Sequence, residues 1–470
     1  MELVFLKYLT ILVGLYMAWN IGANDVANAM GTSVGSKALT LKKAVILASI
    51  LEFSGAFFVG NHVSETIQSG IVDPTIFSND PVIFVIGMMG ALFATGLWLQ
   101  LASYFGMPVS TTHAIVGAIL GFGGVIGGIH AVYWLEMGKI VLSWLISPLL
   151  SGLISYGIFS IIQRQIFYQP NPIDATKKIA PFFVFACFTI LTLSIIFDGL
   201  KNLHLQIGFP EALILSTSVG LLSFGGSWAF FRKAPSHQHE TFYHNPHHII
   251  GLEKAAKHLQ RVKLSSHDET KKKVTSILQE VETLSKKVAE NSQFQESHTP
   301  FAAVEKIFML LQILSACLVA FAHGANDVAN AIGPVAAVVQ VLHTHTVLPH
   351  AVVPLWLLLL GGFGIVLGLA TWGWRVIETI GKKITELTPT RGFSAEFGAA
   401  STILFASKLG IPISTTHSLV GAVLGVGLAR GLQAVNLRTL RDIAVSWIVT
   451  IPICAFLSIV LFYILQAIYV

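Results

Sequence analysis

The stretch GANDVANA occupies residues 22–29 and returns unchanged at residues 324–331, a shift of 302 positions. A second stretch, P-x-S-T-T-H, occupies residues 108–113 and returns at residues 412–417, a shift of 304 positions. Val-Gly-Ala follows each copy of the second stretch, at residues 116–118 and 420–422. Two long motifs that recur in the same order and at nearly the same spacing indicate that the chain consists of two homologous halves.

The composition of the chain is that of a membrane protein. Hydrophobic residues make up 54% of the 470 residues and charged residues 11%, with a mean hydropathy of +0.72. A soluble domain carries about 25% charged residues, so this composition excludes a soluble enzyme, a disordered scaffold and a nucleic-acid-binding protein. We interpret the net charge of +5 as a property of cytoplasmic loops, because Lys and Arg accumulate in them.

Apolar runs long enough to cross a bilayer, about 20 residues each, recur along the chain. We expect an all-α membrane protein with about twelve transmembrane helices, the first of them retained because no cleavage site precedes Asn20. The predicted spans lie near residues 5–30, 43–60, 82–104, 112–130, 137–163, 180–197, 211–231, 306–332, 351–375, 393–408, 413–429 and 442–468.

A charged insert divides the apolar chain at residues 232–305. It holds 11 Lys and Arg and 9 Asp and Glu of the 53 charged residues of the chain. We expect an N-terminal membrane half at 1–231, a cytoplasmic insert at 232–305 and a C-terminal membrane half at 306–470. Apolar residues from Val274 to Val288 recur at helical spacing and predict one amphipathic helix. The five histidines between His237 and His248 match no defined metal site, and we interpret them as part of a solvated loop.

The distribution of Lys and Arg predicts the orientation of the two halves. The basic loops are Lys37–Lys43, Arg164–Lys178, Arg232–Lys306, Lys382–Arg391 and Arg430–Arg441. With twelve spans these loops all face the cytoplasm, and loop 61–81 and both termini lie outside. The copies of GANDVANA then end spans that run in opposite directions, and the copies of P-x-S-T-T-H lie at a cytoplasmic and an external turn. Inverted repeats with broken helices at the midplane are typical of secondary transporters.

The P-x-S-T-T-H motif predicts an anion site. Proline ends the preceding segment, and Ser or Thr can cap the apolar helix that follows. A helix N-terminus attracts an oxyanion through free N–H groups and a partial positive charge. We expect the hydroxyls of both copies to enclose one tetrahedral anion, those of Ser110, Thr111, Thr112, Ser414, Thr415 and Thr416. In the alternative interpretation these hydroxyls only cap helices. We expect His113 and His417 to orient the loops through hydrogen bonds.

The GANDVANA motif predicts a cation site. Asn24 and Asn28 share a helix face, and Asp25 lies three residues before Asn28. Oxygen ligands suit a hard cation such as Na⁺, so the candidates are Asn24, Asp25, Asn28, Asn326, Asp327 and Asn330. The alternative is helix packing in which the polar residues join neighbouring helices. Glu52 and Glu396 are further acids within predicted spans, with no Lys or Arg near them in the same span. An acid within the bilayer is a functional candidate by default, so we expect both to meet a cation or a proton as coupling residues.

The duplicated motifs resemble those of the inorganic phosphate transporter family, and three further stretches resemble its sodium-coupled members: residues 46–52, 143–152 and 321–324. The resemblance covers both membrane halves but not the insert. It implies cation-driven phosphate uptake by a homodimer, with cation ligands at Asp25, Asn28, Asp327 and Asn330 and phosphate held by the Ser-Thr-Thr runs. Proton-coupled relatives tend to carry His-Asp where this chain has Asn24-Asp25, which favours sodium.

The leading hypothesis is therefore a sodium/phosphate symporter of the cell membrane that needs no cofactor beyond its coupling ions. A proton-coupled phosphate permease or a sulfate permease of the same fold remains an alternative, since some relatives carry sulfate. A channel would require a continuous pore, and a membrane-embedded enzyme would gain nothing from inverted duplication. A receptor role would rest on the insert alone.

Overall fold

The computed structural model describes residues 2–199, 207–233, 252, 255–256, 258–260, 262–264, 268–293, 300–348, 352–374, 376–377, 388–431 and 437–469. These residues are overwhelmingly helical, in agreement with the predicted all-α class. The helices are α1 Glu2–Gly35, α2 Leu41–Val59, α3 Asn61–Ser69, α4 Pro81–Tyr104, α5 Thr111–Ile126, α6 Trp134–Ile162, α7 Pro172–Ser194, α8 Phe209–Lys233, α9 Asp268–Gln293, α10 Pro300–Thr344, α11 Leu355–Thr371, α12 Pro389–Lys408, α13 Thr415–Arg430 and α14 Leu437–Tyr469.

The part of the chain that the structure describes contains seven helices long and apolar enough to cross a membrane, or eight if α2 and α3 form one span bent by 67°. The predicted spans 112–130 and 413–429 correspond to α5 and α13, which have 16 residues each. Such a helix is about 24 Å long and does not cross a hydrocarbon core of about 30 Å. The structure therefore identifies α5 and α13 as short helices that begin inside the protein.

The two duplicated motifs differ in backbone conformation: GANDVANA is helical, whereas P-x-S-T-T-H spans a helix break and the start of the next helix. Both copies of GANDVANA lie within continuous helices, α1 and α10, which extend beyond the span ends expected near residues 30 and 332. The breaks lie at residues 105–110 and 409–414, where Gly106 and Gly410 adopt positive φ angles of 65° and 67°. Polar residues alone do not interrupt a helix, whereas these glycines and the prolines that begin P-x-S-T-T-H do.

The structure corrects the expectation that the two P-x-S-T-T-H copies lie at turns on opposite membrane faces. Thr112 Oγ1 donates to the carbonyl of Ile413 at 3.0 Å, so the two copies are in contact. Both are buried. They meet in the interior because α5 and α13 are short and each follows a loop that ends within the protein.

The helices that carry GANDVANA form the centre of the structure. α1 packs on α4, α10 and α11, and α10 packs on α2 and α12. The contacts are so close that a Cβ added to Gly22 would lie 1.9 Å from the carbonyl oxygen of Ile365. A Cβ added to Gly324 would lie 2.0 Å from that of Glu52. Only glycine permits this approach. The resulting close packing of the helices buries the acidic motifs inside the protein.

The amphipathic helix predicted in the insert is present as α9. Val274 and Leu278 are buried, while Ile277 and Leu284 are exposed. Most of the rest of 232–305, including the histidines from His237 to His248, lies outside the described residues.

Candidate functional site

The Ser-Thr-Thr runs begin α5 and α13, as predicted. Ser110 Oγ accepts from the N–H of His113, and Ser414 Oγ accepts from the N–H of His417, at 3.2 Å each. These bonds satisfy one N–H in each first turn, while the N–H groups of the following two threonines have no carbonyl of their own helix to reach. Two helix N-termini thus present donors and hydroxyls in the same buried region.

The threonine hydroxyls contact the GANDVANA residues of the two helices α1 and α10. Asn28 donates to Thr416 Oγ1 at 2.8 Å, and Asn330 lies 3.4 Å and 3.3 Å from Thr111 Oγ1 and Thr112 Oγ1. Thr415 Oγ1 donates to Asp327 Oδ2 at 2.8 Å. The Asn28 and Asn330 contacts each join one half of the chain to the other. The candidate anion site and the candidate cation site are therefore adjacent.

A fully buried cluster of three acids and one histidine lies beside the hydroxyls. His323 Nε2 is 3.0 Å from Asp327 Oδ2 and 3.8 Å from Asp25 Oδ2, while His323 Nδ1 is 3.3 Å from Glu52 Oε1. All four side chains have no exposed surface. Glu52, predicted as a coupling residue, thus belongs to the same cluster as Asp25 and Asp327.

Several oxygen atoms in this cluster and on the asparagines one helix turn away are available to a cation. Among the described residues, Asp25 Oδ2, Asn28 Oδ1 and Asn330 Oδ1 are buried without a hydrogen-bond partner. A buried polar atom without a partner costs free energy, and carboxylate and amide oxygens are ligands of hard cations. The donor set therefore fits Na⁺ at these predicted positions.

Asn24 and Asn326 contact two serines that sequence analysis missed. Asn24 is hydrogen-bonded to Ser103 Oγ and Asn326 to Ser407 Oγ, at 3.0 Å each. Asn24 also donates to the carbonyl of Met107 at 3.2 Å, which fastens the loop before α5. The two serines precede Pro108 and Pro412 by five residues each, and this shared spacing was the signal that could have revealed them.

His113 and His417 join the short helices to neighbouring long ones. His113 Nδ1 lies 3.4 Å from the carbonyl of Trp447, and His417 Nδ1 lies 3.2 Å from that of Trp144. The two imidazoles are 4.5 Å apart between ring centroids. Both histidines thus make the positioning hydrogen bonds expected of them, but to α14 and α6 and not to their own loops.

Glu396 lies in a second polar cluster. Its Oε1 accepts from Thr32 at 2.5 Å, Ser33 at 2.7 Å and Gln312 at 3.2 Å, and its Oε2 accepts from Ser315 at 2.5 Å. The carboxylate is fully buried in α12 and joins α1 to α10. Glu396 could be identified in the sequence as an acid within an apolar run, but its four donors could not, because they lie 81 to 364 residues away.

The fold and this arrangement define a class of protein. An apolar helical protein that buries hydroxyl-lined helix N-termini against a cluster of unsatisfied oxygen ligands is a membrane transporter of ions. It has the donors for an anion and the acceptors for cations, adjacent to each other.

Comparison with known proteins gives the family. A model of the phosphate transporter family matches residues 21–458. Inorganic phosphate transporter 2-1, chloroplastic, of Arabidopsis thaliana is 45% identical over 97% of this chain and 71% of its own length. A solved structure described as the sodium-dependent phosphate transporter is 38% identical with a TM-score of 0.81, over 99% of this chain and 100% of the other. The chain therefore belongs to the phosphate transporter family, and it is a transporter and not an enzyme.

Proposed function

We propose that the protein is a symporter that couples the uptake of inorganic phosphate to sodium ions by alternating access. The observation that carries this proposal is the contact between the hydroxyl runs and the acidic cluster, in particular Thr415 Oγ1 with Asp327 Oδ2 at 2.8 Å. The solved relative of 38% identity is described as sodium-dependent, which favours sodium over protons.

The proposed phosphate site lies between the N-termini of α5 and α13. Ser110, Thr111, Thr112, Ser414, Thr415 and Thr416 supply its hydroxyls, and the first N–H groups of both helices supply further donors. Among the described residues, no buried charged side chain is Lys or Arg. The charge of phosphate is therefore balanced by helix dipoles, donors and bound cations.

The lack of a fixed positive residue gives the coupling its physical basis. Asp25 and Asp327 repel an approaching anion as long as their charge is not neutralised. Sodium ions bound by Asn24, Asp25, Asn28, Asn326, Asp327 and Asn330 remove this repulsion and add positive charge beside the hydroxyls. Phosphate affinity then depends on sodium, which is what symport requires.

We extend the proposal to the organisation of the chain. The halves 1–231 and 306–470 are proposed as inverted repeats, since the acidic segment 61–81, which was expected to be a loop but contains α3, precedes α4, whereas basic segments flank α12 and α13. We propose further that the protein is a homodimer of the cell membrane with the insert 232–305 in the cytoplasm and both termini outside.

Uptake into proteoliposomes tests the proposed function. Purified protein is expected to accumulate labelled phosphate under an inward sodium gradient, and not when potassium replaces sodium at the same pH. Uptake driven by a proton gradient without sodium would favour the proton-coupled permease. Displacement of phosphate by sulfate at equal concentration would favour the sulfate permease, and sodium-independent flux without accumulation would indicate a channel.

Cysteines introduced at Ile76 and Lys42 test the orientation by labelling from each side of the membrane. We expect the cysteine at Ile76 to be labelled only from outside and the one at Lys42 only from the cytoplasm. The loops at 71–73 and 131–133 are joined by hydrogen bonds between Asp73 N and Ala131 O and between Tyr133 N and Ile71 O. A cysteine at Ile129, which is exposed, is the matched control and should label from the same side as position 76. Labelling of position 76 from the cytoplasm alone would reverse the proposed orientation.

Substitution of Glu396 by Gln is expected to raise the sodium concentration for half-maximal uptake by about tenfold or more. Four donors hold the carboxylate, and hydrogen bonds to charged groups contribute about 1.5–3 kcal/mol. We propose Glu396 as a coupling residue because this charge lies between α1 and α10. Uptake against sodium concentration measures the effect. Reduced protein amount with unchanged sodium dependence would assign Glu396 a purely structural role.

A further inference from the structure

The two halves of the candidate site differ at one pair of positions. Gly22 and Gly324 make the same close approach to a neighbouring helix, to the carbonyl oxygens of Ile365 and Glu52 respectively. Ile365 and Glu52 therefore occupy equivalent places. The residues before the two glycines are Ile21 and His323. One half thus carries an Ile–Ile pair where the other carries a Glu–His pair, and all four side chains are buried.

The Glu–His pair gives the two aspartates different surroundings. His323 Nε2 lies 3.0 Å from Asp327 Oδ2 but 3.8 Å from Asp25 Oδ2. Asp327 Oδ2 also accepts from Thr415 Oγ1 at 2.8 Å. In contrast, Asp25 Oδ2 is buried without a hydrogen-bond partner among the described residues. The amide oxygens Asn28 Oδ1 and Asn330 Oδ1 are unpartnered in both halves, so the difference lies at the two aspartates.

We propose that Glu52 and His323 make the two cation sites unequal, so that Asp25 binds the first sodium ion and Asp327 binds a second one only after the imidazole has moved away. A cation at Asp25 meets an oxygen that no other group holds, and its binding relieves the cost of that unpartnered atom. A cation at Asp327 must first displace the ring nitrogen Nε2, which lies 3.0 Å from Asp327 Oδ2, and the other ring nitrogen of the same imidazole, Nδ1, lies 3.3 Å from Glu52 Oε1.

The pair therefore acts as a positioning device that orders cation binding. Glu52 does not need to contact sodium for this role, because it acts on Asp327 through His323. The inference rests on the proposed sodium coupling, but it concerns the order in which the sites fill and not the identity of the transported anion.

Equilibrium binding of labelled sodium to the purified full-length protein in lipid nanodiscs, without phosphate, tests this order. We expect one high-affinity sodium ion in the parent protein. Asp25→Asn should weaken its binding by about tenfold or more, and Asp327→Asn should change it by less than about threefold. Equal weakening by the two substitutions would overturn the inference. A parent protein that binds no sodium at all would instead contradict the proposed coupling.

The chain supplies its own matched control in the Ile–Ile pair. The double substitution Glu52→Ile with His323→Ile copies that pair, and it should make the two sites equivalent so that two sodium ions bind without phosphate. Glu52→Gln with His323→Gln, which keeps the size and polarity of the side chains, is the second variant and should also raise the number of bound ions. The elution profile shows which of the two double variants is folded. If a folded variant still binds only one sodium ion, the proposed role of the pair is contradicted.

Discussion

Replacement of Thr111 or Thr415 by valine is expected to weaken phosphate binding by about ten- to a hundredfold. Valine keeps the shape of threonine and removes the hydroxyl. Thr415 Oγ1 donates to Asp327 and Thr111 Oγ1 lies 3.4 Å from Asn330, so both hydroxyls lie where the anion site meets the cation site. A hydrogen bond to a charged group contributes about 1.5–3 kcal/mol. Equilibrium binding of labelled phosphate in the presence of sodium measures the change.

Thr95→Val is the matched control for both substitutions. Thr95 is also fully buried, but its hydroxyl donates to the carbonyl of Ala91 within α4, so its loss should leave phosphate affinity unchanged. If a hydroxyl only caps a helix, its removal should lower the free energy of unfolding by about 1 kcal/mol and leave the affinity for phosphate unchanged. Parental affinity in both folded variants would show that the threonines are caps. An effect at one threonine alone would indicate an asymmetric site, and two bound phosphates would contradict a single shared site.

Asp25→Asn and Asp327→Asn are each expected to raise the sodium concentration for half-maximal phosphate uptake by about a hundredfold or more. Removal of one partner of a buried charge pair costs about 3–5 kcal/mol, and about 1.4 kcal/mol corresponds to a factor of ten. Both carboxylates are buried in the same cluster, and uptake requires both sites to fill. Phosphate uptake against sodium concentration in proteoliposomes measures the change.

Asp80→Asn controls for the loss of one acidic residue. Asp80 is exposed and makes no side-chain cap hydrogen bond at the start of α4, so its substitution should leave the sodium dependence unchanged. Protein amount and elution profile show whether the other variants fold. Unchanged sodium affinity and rate in both Asp25→Asn and Asp327→Asn would refute the assignment of the cation sites.

The acidic and hydroxyl motifs could be predicted from the sequence because each is a local pattern that occurs twice. Asn28 lies within hydrogen-bonding reach of Asp25 by helix geometry alone, and the structure has this bond at 2.9 Å. Ser110 and Ser414 could be predicted as caps for the same reason, since a cap acts within one turn of its own helix.

The expectation that the P-x-S-T-T-H copies lie on opposite membrane faces is wrong because it rests on hydropathy alone. The hydropathy of residues 112–130 and 413–429 predicts full spans, because hydropathy does not distinguish a helix that crosses the bilayer from one that begins inside the protein. α5 starts at Thr111 and ends at Ile126, which is too short to cross. The loop before it therefore lies in the interior, in contact with its counterpart before α13.

Composition and repetition are properties of the chain, so they were sufficient to predict a duplicated, helical membrane protein with paired acidic and hydroxyl motifs. The packing of the helices was needed to show that Asn28 bonds to Thr416, that Glu396 accepts from four donors, and that His323 lies between Glu52 and Asp327. His323 and Asp327 are one helix turn apart, but the other contacts join residues far apart in the chain. Their distances depend on how α1, α2, α10 and α12 pack, since close glycine contacts and buried side chains set the register between helices.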